Sequence, residues 1–192
     1  MVRWEPGAKE RLQTAALDLF LEHGYEQTTV HDIAAAAGLT ERTFFRHFAD
    51  KREVLFHGQD RFVPAFVRGA ADAPEGADAV ALVLAALVGA QDFFPDDRRP
   101  WSRKRQRVID ANPALLEREL LKRAALGDEL AAAFQARGLA AADARIAAET
   151  GVAAFFLAFR QWIAEGETRA LGRIERDVLD RMATFLRASA PA

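Results

Sequence analysis

The chain has 192 residues, with 26 Lys and Arg against 28 Asp and Glu, and it contains no cysteine. That composition excludes a disulfide framework, a thiolate zinc or iron–sulfur site and a cysteine nucleophile. Its longest apolar run, residues 79–90, is shorter than the roughly 20 residues that span a bilayer. The first residues lack the apolar segment of a secretory signal. We therefore expect a cytoplasmic protein with no membrane partner. A formal charge of −2 argues against a chain that is basic along its whole length.

Helix-forming residues dominate the sequence, and no stretch alternates as a strand does, so the sequence predicts an all-α fold. Apolar residues recur at helical spacing from Leu12 to Phe20, and Gly24 is a natural stop after them. Two short helices are predicted next, at 30–37 and 41–48.

A connecting helix is predicted after these. Asp50 and Glu53 have the spacing of a capping box for it, and Pro64 is expected to end or kink it near residues 62–63. Five longer helices are predicted to follow, punctuated by proline, asparagine or glycine, at 77–93, 100–110, 113–137, 141–165 and 171–187.

Residues 28–51 have the pattern of a helix-turn-helix, in which two helices are joined by a short turn that contains glycine. Ile33 supplies an apolar anchor, and Ala34 is small enough for a second helix to cross closely. Gly38 can adopt the positive φ of a sharp turn. The side chains expected to fold back onto the first helix are Leu39, Phe44 and Phe48.

The polar residues of the second short helix suit DNA recognition. Thr29 and Thr40 stand at N-cap positions, and the polar groups of the helix are Arg42, Thr43, Arg46 and His47. An arginine in the major groove can bond a guanine through two hydrogen bonds. Lys51, at the start of the connecting helix, can contact a phosphate together with free backbone N–H groups. The alternative is a generic three-helix corner whose arginines are only solvated.

Charge limits how this segment can bind DNA. Residues 1–60 carry 7 Lys and Arg against 10 Asp and Glu, a net charge of −3, whereas residues 40–52 have a net charge of +2. Binding must then depend on this local patch, duplicated by dimerisation. Arg3, Lys9 and Arg11 can add contacts from the N-terminal arm.

Several short segments between Ala8 and Phe56 form one specific pattern. They are AALDLF at 15–20, GY at 24–25, TTV at 28–30, IA at 33–34, AGLT at 37–40, TFFRHF at 43–48, and Lys51. This pattern resembles that of TetR-family transcriptional regulators. The resemblance implies an all-helical homodimer that binds a palindromic operator, acts as a repressor and is released by a small-molecule effector. Its parts would be a three-helix helix-turn-helix DNA-binding domain over 1–56, a connecting helix at about 51–68, and a larger helical ligand-binding and dimerisation bundle over 69–192.

The resemblance also implies roles for single residues. Positions that contact the DNA backbone would be Thr28, Thr29, Phe45, His47 and Lys51, and those nearest the bases Thr40, Arg42 and Thr43. The family usually has tyrosine where Phe45 stands, so a hydroxyl bond to phosphate is missing here. It often has glycine where Arg42 stands, so an extra long side chain would read the operator here.

The last two helices are apolar around more than one face and need partners on several sides. Two such helices from each of two subunits would form a four-helix interface, and the resemblance assigns dimerisation to them. The interface candidates are Phe156, Trp162, Ile163, Leu179, Met182, Phe185 and Leu186. The alternative is a core within a single chain.

From Arg103 to Trp162 the chain weakly resembles the C-terminal domain of TetR regulators that bind acyl-CoA-like ligands. The effector would then be apolar or acyl-CoA-like. Candidate pocket residues are Phe93, Phe94, Trp101, Arg103, Leu116, Phe134, Phe155 and Phe159. Aromatic residues at helical spacing also fit plain core packing.

The segment 98–107 holds six basic residues in ten. One interpretation is a solvated helix face, or a set of salt-bridge partners for Asp92, Asp96 and Asp97. The others are a clamp for an anionic ligand and a second nucleic-acid surface, which lacks a stacking platform beyond Trp101.

Two other classes of protein compete with a regulator. One is a metal-free all-helical enzyme, and the other is a helical adaptor without sequence-specific DNA binding. The sequence has no His-x-x-x-His pair, no Gly-x-Ser-x-Gly elbow and no Gly-rich phosphate loop. We therefore expect no enzyme, no metal site and no cofactor.

Overall fold

A computed structural model describes residues 7–188, apart from the side chains of Gln59 and Asp60. Within that range the regular structure is entirely helical, which confirms the all-α prediction. The α-helices are α1 (Ala8–His23), α2 (Val30–Ala36), α3 (Glu41–His47), α4 (Gln59–Ala71), α5 (Ala79–Ala90), α6 (Arg99–Asp110), α7 (Pro113–Ala136), α8 (Ala141–Trp162) and α9 (Leu171–Ala188). Short 3-10 helices occupy 52–55, 91–93 and 96–98.

The predicted connecting helix is wrong in its bounds. Asp50 Oδ1 does accept the backbone N–H of Glu53 at 3.0 Å, but the element that follows is a 3-10 helix over Arg52–Leu55 with Lys51 at its N-cap position. The chain then breaks at Gly58, where φ is +99°. Pro64 lies inside α4 instead of ending it. The missing N–H of Pro64 would have bonded the second residue of the helix, so only one bond near the helix start is lost.

The described chain divides into two compact units, and the division is more complicated than the predicted one between 56 and 69. The first unit comprises the described residues up to Gln59 together with Arg103–Glu119. The second comprises Asp60–Ser102 together with the described residues from Leu120 onward. The chain therefore passes between units near the start of α4, within α6 and within α7.

The core of the first unit is built by α1, α2, α3 and the 3-10 helix at 52–55. Its fully buried side chains include Leu12, Ile33, Phe44 and Val54. Phe44 and Phe48 are 0% and 4% exposed, in agreement with the predicted packing of these side chains against the core. This packing leaves the opposite face of α3 outside the core.

The core of the second unit is rich in aromatic rings. The ring centroid of Phe62 lies 4.9 Å from that of Phe66 and 5.4 Å from that of Phe155. The ring centroids of Phe94 and Phe159 are 5.3 Å apart. Most of these pairs meet edge to face, the arrangement that the ring quadrupole favours.

Helices α4 and α5 cross at two glycines. A Cβ atom on Gly89 would lie 2.5 Å from the carbonyl oxygen of Ala65 and 2.8 Å from the Cα of Gly69. The two backbones can approach this closely because neither crossing residue has a side chain.

Among residues 7–188, no single helix is long and apolar enough to cross a membrane, and one bent helix pair, 79–93 with 96–110, passes that test only when both are counted together. The same residues contain no group of three or more His, Cys, Asp or Glu side chains placed to hold a metal ion.

Candidate nucleic-acid interface

Both short helices of the helix-turn-helix begin at a threonine cap. Thr29 Oγ1 accepts the N–H of Asp32 at 3.1 Å, and Asp32 Oδ2 accepts the N–H of Thr29 at 2.9 Å, which completes a capping box. The hydrogen bonds from Thr29 lower the pKa of Asp32, so the carboxylate stays ionised. Thr40 Oγ1 accepts the N–H of Thr43 at 3.2 Å and caps α3. The predicted caps are therefore confirmed.

The turn between α2 and α3 depends on Gly38. Its φ is +64°, in the left-handed region that favours glycine. Its N–H bonds the carbonyl of Ala35 at 3.0 Å, and the N–H of Leu39 bonds the carbonyl of Ala34 at 2.8 Å. These bonds satisfy the last carbonyls of α2 and fix the direction in which α3 leaves the turn.

The outer face of α3 carries two arginines and an unusual aromatic residue. Arg42 and Arg46, one turn apart, are exposed, and among the described residues neither guanidinium has an ion pair or hydrogen bond. Phe45 is 55% exposed and touches Phe44 at 5.5 Å. Thr43 is half-buried, and its hydroxyl lies 3.1 Å from that of Thr40. The predicted base-reading residues thus share one short helix and its cap.

Thr28 and Thr29 differ in what they can offer to a ligand. Thr29 is exposed at the N-cap of α2. Thr28, predicted to contact the DNA backbone, is instead only 2% exposed, and its hydroxyl donates to the carbonyl of Gly24 at 2.8 Å. That bond leaves the Thr28 side chain committed to the loop that precedes α2.

Lys51 also has partners inside the first unit. Its Nζ donates to the carbonyl oxygens of Tyr25 at 2.7 Å and Thr28 at 2.9 Å, and it lies 4.1 Å from the centroid of the Tyr25 ring. An ammonium group has three donors. Two of them fix the α1–α2 loop, which leaves one for a phosphate.

His47 is half-buried, and its Nε2 atom is enclosed without a hydrogen-bond partner among the described residues. Burial lowers the pKa of His47, and the charges of Arg46 and Lys9 lower it further. The imidazole is therefore neutral at pH 7, so it offers a hydrogen bond but no charge.

Fewer basic side chains are available to contact DNA than the number of Lys and Arg residues suggests. Arg52 is paired with Asp50, with Nη2 and Oδ2 2.8 Å apart. Lys9 and Arg11 are half-buried on α1, and Arg3 lies outside the described residues. The exposed unpaired cations of α3 are thus Arg42 and Arg46.

A part of the first unit that the sequence did not indicate is the segment 103–119. Arg105 Nε donates to the carbonyl of Leu55 at 2.6 Å, and its guanidinium lies 5.0 Å from the Phe56 ring centroid. Arg118 Nε donates to Glu53 Oε1 at 2.6 Å. Both arginines therefore hold the 3-10 turn that follows Lys51.

The basic residues of the segment 98–107 consequently have different roles. Arg99 is buried and donates to Asp96 and to the carbonyls of Glu167 and Arg169, which matches the salt-bridge interpretation for this residue. Arg105 holds the 3-10 turn. Lys104 and Arg107 are exposed on α6.

The candidate pocket residues fall in both units. In the second unit, Phe134, Phe155 and Phe159 are buried in its core, and Phe93 and Phe94 are half-buried against it. Trp101 is half-buried beside Arg98. Arg103 and Leu116 belong to the first unit.

The candidate interface residues also divide. Trp162, predicted at the interface, is instead fully buried in the core of its own chain, where its Nε1 donates to Asp96 at 3.2 Å. Ile163 is buried as well. Those with surface left for a partner are Phe156, Leu179, Met182, Phe185 and Leu186.

Residues 12–57 match the family model described as bacterial regulatory proteins of the tetR family. The chain is 44% identical over 68 residues to the HTH-type transcriptional regulator TcmR of Streptomyces glaucescens. That match covers 35% of this chain and 30% of TcmR. It spans about half or less of the length of the curated relatives that it matches.

Solved structures share the fold over nearly the whole chain. The SmeT–triclosan complex matches with a TM-score of 0.64 and 23% identity, covering 93% of this chain and 90% of that one. The transcriptional regulator FadR from Bacillus subtilis in complex with stearoyl-CoA matches with a TM-score of 0.61 and 16% identity, covering 89% and 95%. The matching family and relatives are transcriptional regulators, not enzymes. Residues 12–57 are thus similar to the tetR family of bacterial regulatory proteins, and the chain as a whole has the fold of the SmeT and FadR structures.

Proposed function

We propose that this protein is a homodimeric, ligand-responsive repressor that binds a palindromic operator through α3 and leaves it when a small-molecule effector binds the second unit. As a DNA-binding regulator it would work in the cytoplasm. The observation that carries the proposal is the outer face of α3, where Arg42 and Arg46 are exposed and unpaired among the described residues beside the exposed ring of Phe45.

The chemistry of this face suits a major groove. Arg42 lies near the start of α3, where an arginine can form a bidentate hydrogen-bonded contact with guanine. This is the commonest specific contact of an arginine with DNA. Arg46, one turn further along α3, suits a phosphate. Phe45 has no hydroxyl, so its contribution is packing against sugar.

Dimerisation is supported by the apolar side chains that α8 and α9 leave exposed. Phe185 is 69% exposed, and Leu157 and Leu186 are also among the exposed large hydrophobic residues. Apolar surface of this kind is typical of an interface. A symmetric pair also supplies the two reading helices, about 34–36 Å apart, that a palindromic operator requires.

Effector release would depend on α6 and α7. The chain of α6 begins in the second unit and ends in the first, where Arg105 and Arg118 hold the 3-10 turn at 52–55. An effector that alters the direction of α6 would shift that turn and, with it, the recognition helix α3. The effector must bind the shifted state more tightly, by about 1.4 kcal/mol for each tenfold loss of operator affinity.

The test is a mobility shift with the DNA upstream of the protein's own gene and with a shuffled duplex of equal composition. We expect the wild type to prefer the upstream DNA and Arg42→Ala to lose about 1–3 kcal/mol of that preference. Arg68→Ala removes an exposed arginine of α4 and should leave the preference intact. Light scattering should give the mass of a dimer.

Equal binding of both duplexes by the wild type would favour the adaptor interpretation. A monomeric mass would contradict the symmetric docking on which the operator geometry depends.

A further inference from the structure

An imidazole and a carboxylate join the two short helices of the helix-turn-helix. Nδ1 of His31, in the first turn of α2, lies 3.0 Å from Oε1 of Glu41, the first residue of α3. The two side chains are 75% and 51% exposed, so both are open to solvent and to a ligand. Neither residue belongs to the set predicted to contact DNA.

One nitrogen of this imidazole is free to change its proton. A carboxylate accepts hydrogen bonds and does not donate them, so Nδ1 carries a hydrogen while the bond to Glu41 exists. Nε2 is therefore the atom that gains or loses a proton, and histidine side chains do so between pH 5 and 8. Protonation of Nε2 changes the net charge of the pair from −1 to 0.

Other titratable groups near His31 belong to α1 and α2. The hydrogen bonds from Thr29 lower the pKa of Asp32, and the charges of His31 and His23 lower it further. Asp32 therefore keeps its charge between pH 6 and 8. His23 is the last residue of α1, where its Nε2 lies 3.8 Å from a carboxylate oxygen of Glu22. The group that titrates beside Glu41 is thus His31.

Glu41 places this variable charge at the start of the recognition helix α3. It directly precedes Arg42, which is exposed. In a helix-turn-helix the N-terminal residues of the recognition helix lie nearest the base edges, while the first helix crosses the DNA backbone. Phosphates repel an uncompensated carboxylate at such a position, whereas a pair with no net charge is not repelled.

We infer that His31 controls DNA binding through Glu41: binding takes up protons at His31 Nε2, so that DNA affinity rises as the pH falls from 8 to 6. The inference rests on the proposed function, since it adds a regulation to the same DNA-binding face. The coupling is reciprocal, because DNA favours the imidazolium as much as the imidazolium favours DNA.

The test uses the full chain and fluorescence anisotropy at pH 6, 7 and 8 and constant ionic strength. The two duplexes are the DNA upstream of the protein's own gene and a shuffled duplex of equal composition. The wild type should bind the upstream DNA at least about fivefold more tightly at pH 6 than at pH 8, the effect of one unit charge close to a phosphate.

Two substitutions fix the charge at position 31. His31→Gln keeps a hydrogen-bond donor for Glu41 but stays neutral, so at every pH it should bind as the wild type does at pH 8. His31→Lys is always charged, so at every pH it should bind as the wild type does at pH 6. His23→Gln, at an exposed position of α1, is the control and should keep the pH dependence of the wild type.

A substitution at the partner tests the route through the carboxylate. Glu41→Gln removes the negative charge of the pair, so it should tighten binding at pH 8 by a factor similar to that of lowering the pH in the wild type. Thermal melting checks that each variant is folded. If a variant at one of the two exposed positions does not fold, those at the other decide.

A wild-type affinity that is equal at pH 6 and pH 8 overturns the inference. A pH dependence that survives in His31→Gln also overturns it. So does a Glu41→Gln variant that binds no more tightly than the wild type at pH 8, because the charge that His31 neutralises would then lie away from the DNA.

The same titrations at pH 7 give the preference for the upstream duplex. Should the wild type prefer that duplex while its affinity does not change with pH, the inference fails and the proposed function stands. Should binding depend on pH through His31 but not on sequence, the proton coupling stands and the proposed function fails. Absence of binding to either duplex contradicts both.

Discussion

The ammonium nitrogen of Lys51 lies 2.7 Å from the carbonyl oxygen of Tyr25, across a contact that joins the end of the helix-turn-helix to the α1–α2 loop. A second bond, to the carbonyl of Thr28, holds the same loop immediately before the cap of α2. Lys51, which the sequence suggested as a phosphate contact, therefore also stabilises the helix-turn-helix.

This dual role predicts that Lys51→Met lowers stability as well as DNA affinity. Two carbonyl groups lose their donor, which should cost about 1–3 kcal/mol in the free energy of unfolding. Affinity should fall by a similar factor for specific and random duplexes, because phosphates carry no sequence information. Denaturant titration and mobility shifts check both effects. Lys104→Met, an exposed lysine of α6, is the control, and a variant as stable as the wild type would refute the structural role.

Phe45→Tyr should tighten DNA binding. The ring is already 55% exposed on the reading helix, so an added hydroxyl remains accessible to a phosphate oxygen. One hydrogen bond to a charged group corresponds to roughly a tenfold gain in affinity. Fluorescence anisotropy should show that gain on operator and random duplexes alike. Phe45→Leu, which removes the ring, should instead weaken both, and an unchanged affinity for the tyrosine variant would place this side chain away from the DNA backbone.

Glu175 predicts a pH dependence of stability. It is buried in α9, and its Oε2 accepts a hydrogen bond from Gln91 Nε2 at 3.2 Å. Burial raises the pKa of Glu175 to about 7, against the opposing effects of Gln91 and of the charge of Arg176. Because the folded state holds the proton more tightly than the unfolded state, this carboxyl's contribution to stability is greatest below the ordinary pKa and is lost as pH rises to 7.

Glu175→Gln removes that titration. At pH 8 the variant should exceed the wild type in free energy of unfolding by up to about 3 kcal/mol, and the difference should shrink toward pH 5. Denaturant curves at several pH values measure it. Glu129→Gln, at an exposed position of α7, should leave the pH dependence of the wild type unchanged. Parallel pH profiles for Glu175→Gln and the wild type would contradict the prediction.

Gly89→Ala should destabilise the second unit by about 1–3 kcal/mol, because the new methyl group meets the backbone of α4. Gly127→Ala is the matched control. Its added Cβ would meet only the flexible ends of two side chains, Glu149 at 3.3 Å and Arg145 at 3.8 Å, so the better helix propensity of alanine should stabilise α7 by up to about 1 kcal/mol. The melting temperatures of the two variants should therefore shift in opposite directions, and a Gly89→Ala variant as stable as the wild type would show that the α4–α5 crossing can relax.

Local rules predicted the reading head well. The caps at Thr29 and Thr40 and the turn at Gly38 depend on neighbours within a few residues, so the sequence contains what fixes them. Pro64 was misread because its effect depends on its position in α4, and the break at Gly58 moved the helix start.

Contacts distant in sequence escaped prediction for a physical reason. Arg99 and Arg105 stand in the same basic segment, yet one is buried against the α8–α9 loop and the other holds the carbonyl of Leu55. Periodicity shows that the end of α8 is apolar on several sides, but it cannot distinguish a partner subunit from the chain's own core. Trp162 turned out to belong to the core.

The composition of the first unit from two separate stretches has a practical consequence for protein engineering. A fragment cut after Gln59 would leave the Leu55 carbonyl without Arg105 and Glu53 without Arg118. Chimeras that exchange DNA specificity between regulators of this fold must therefore transplant residues 103–119 along with the amino-terminal helices. Otherwise new hydrogen-bond donors have to be supplied to the Leu55 carbonyl and the Glu53 carboxylate.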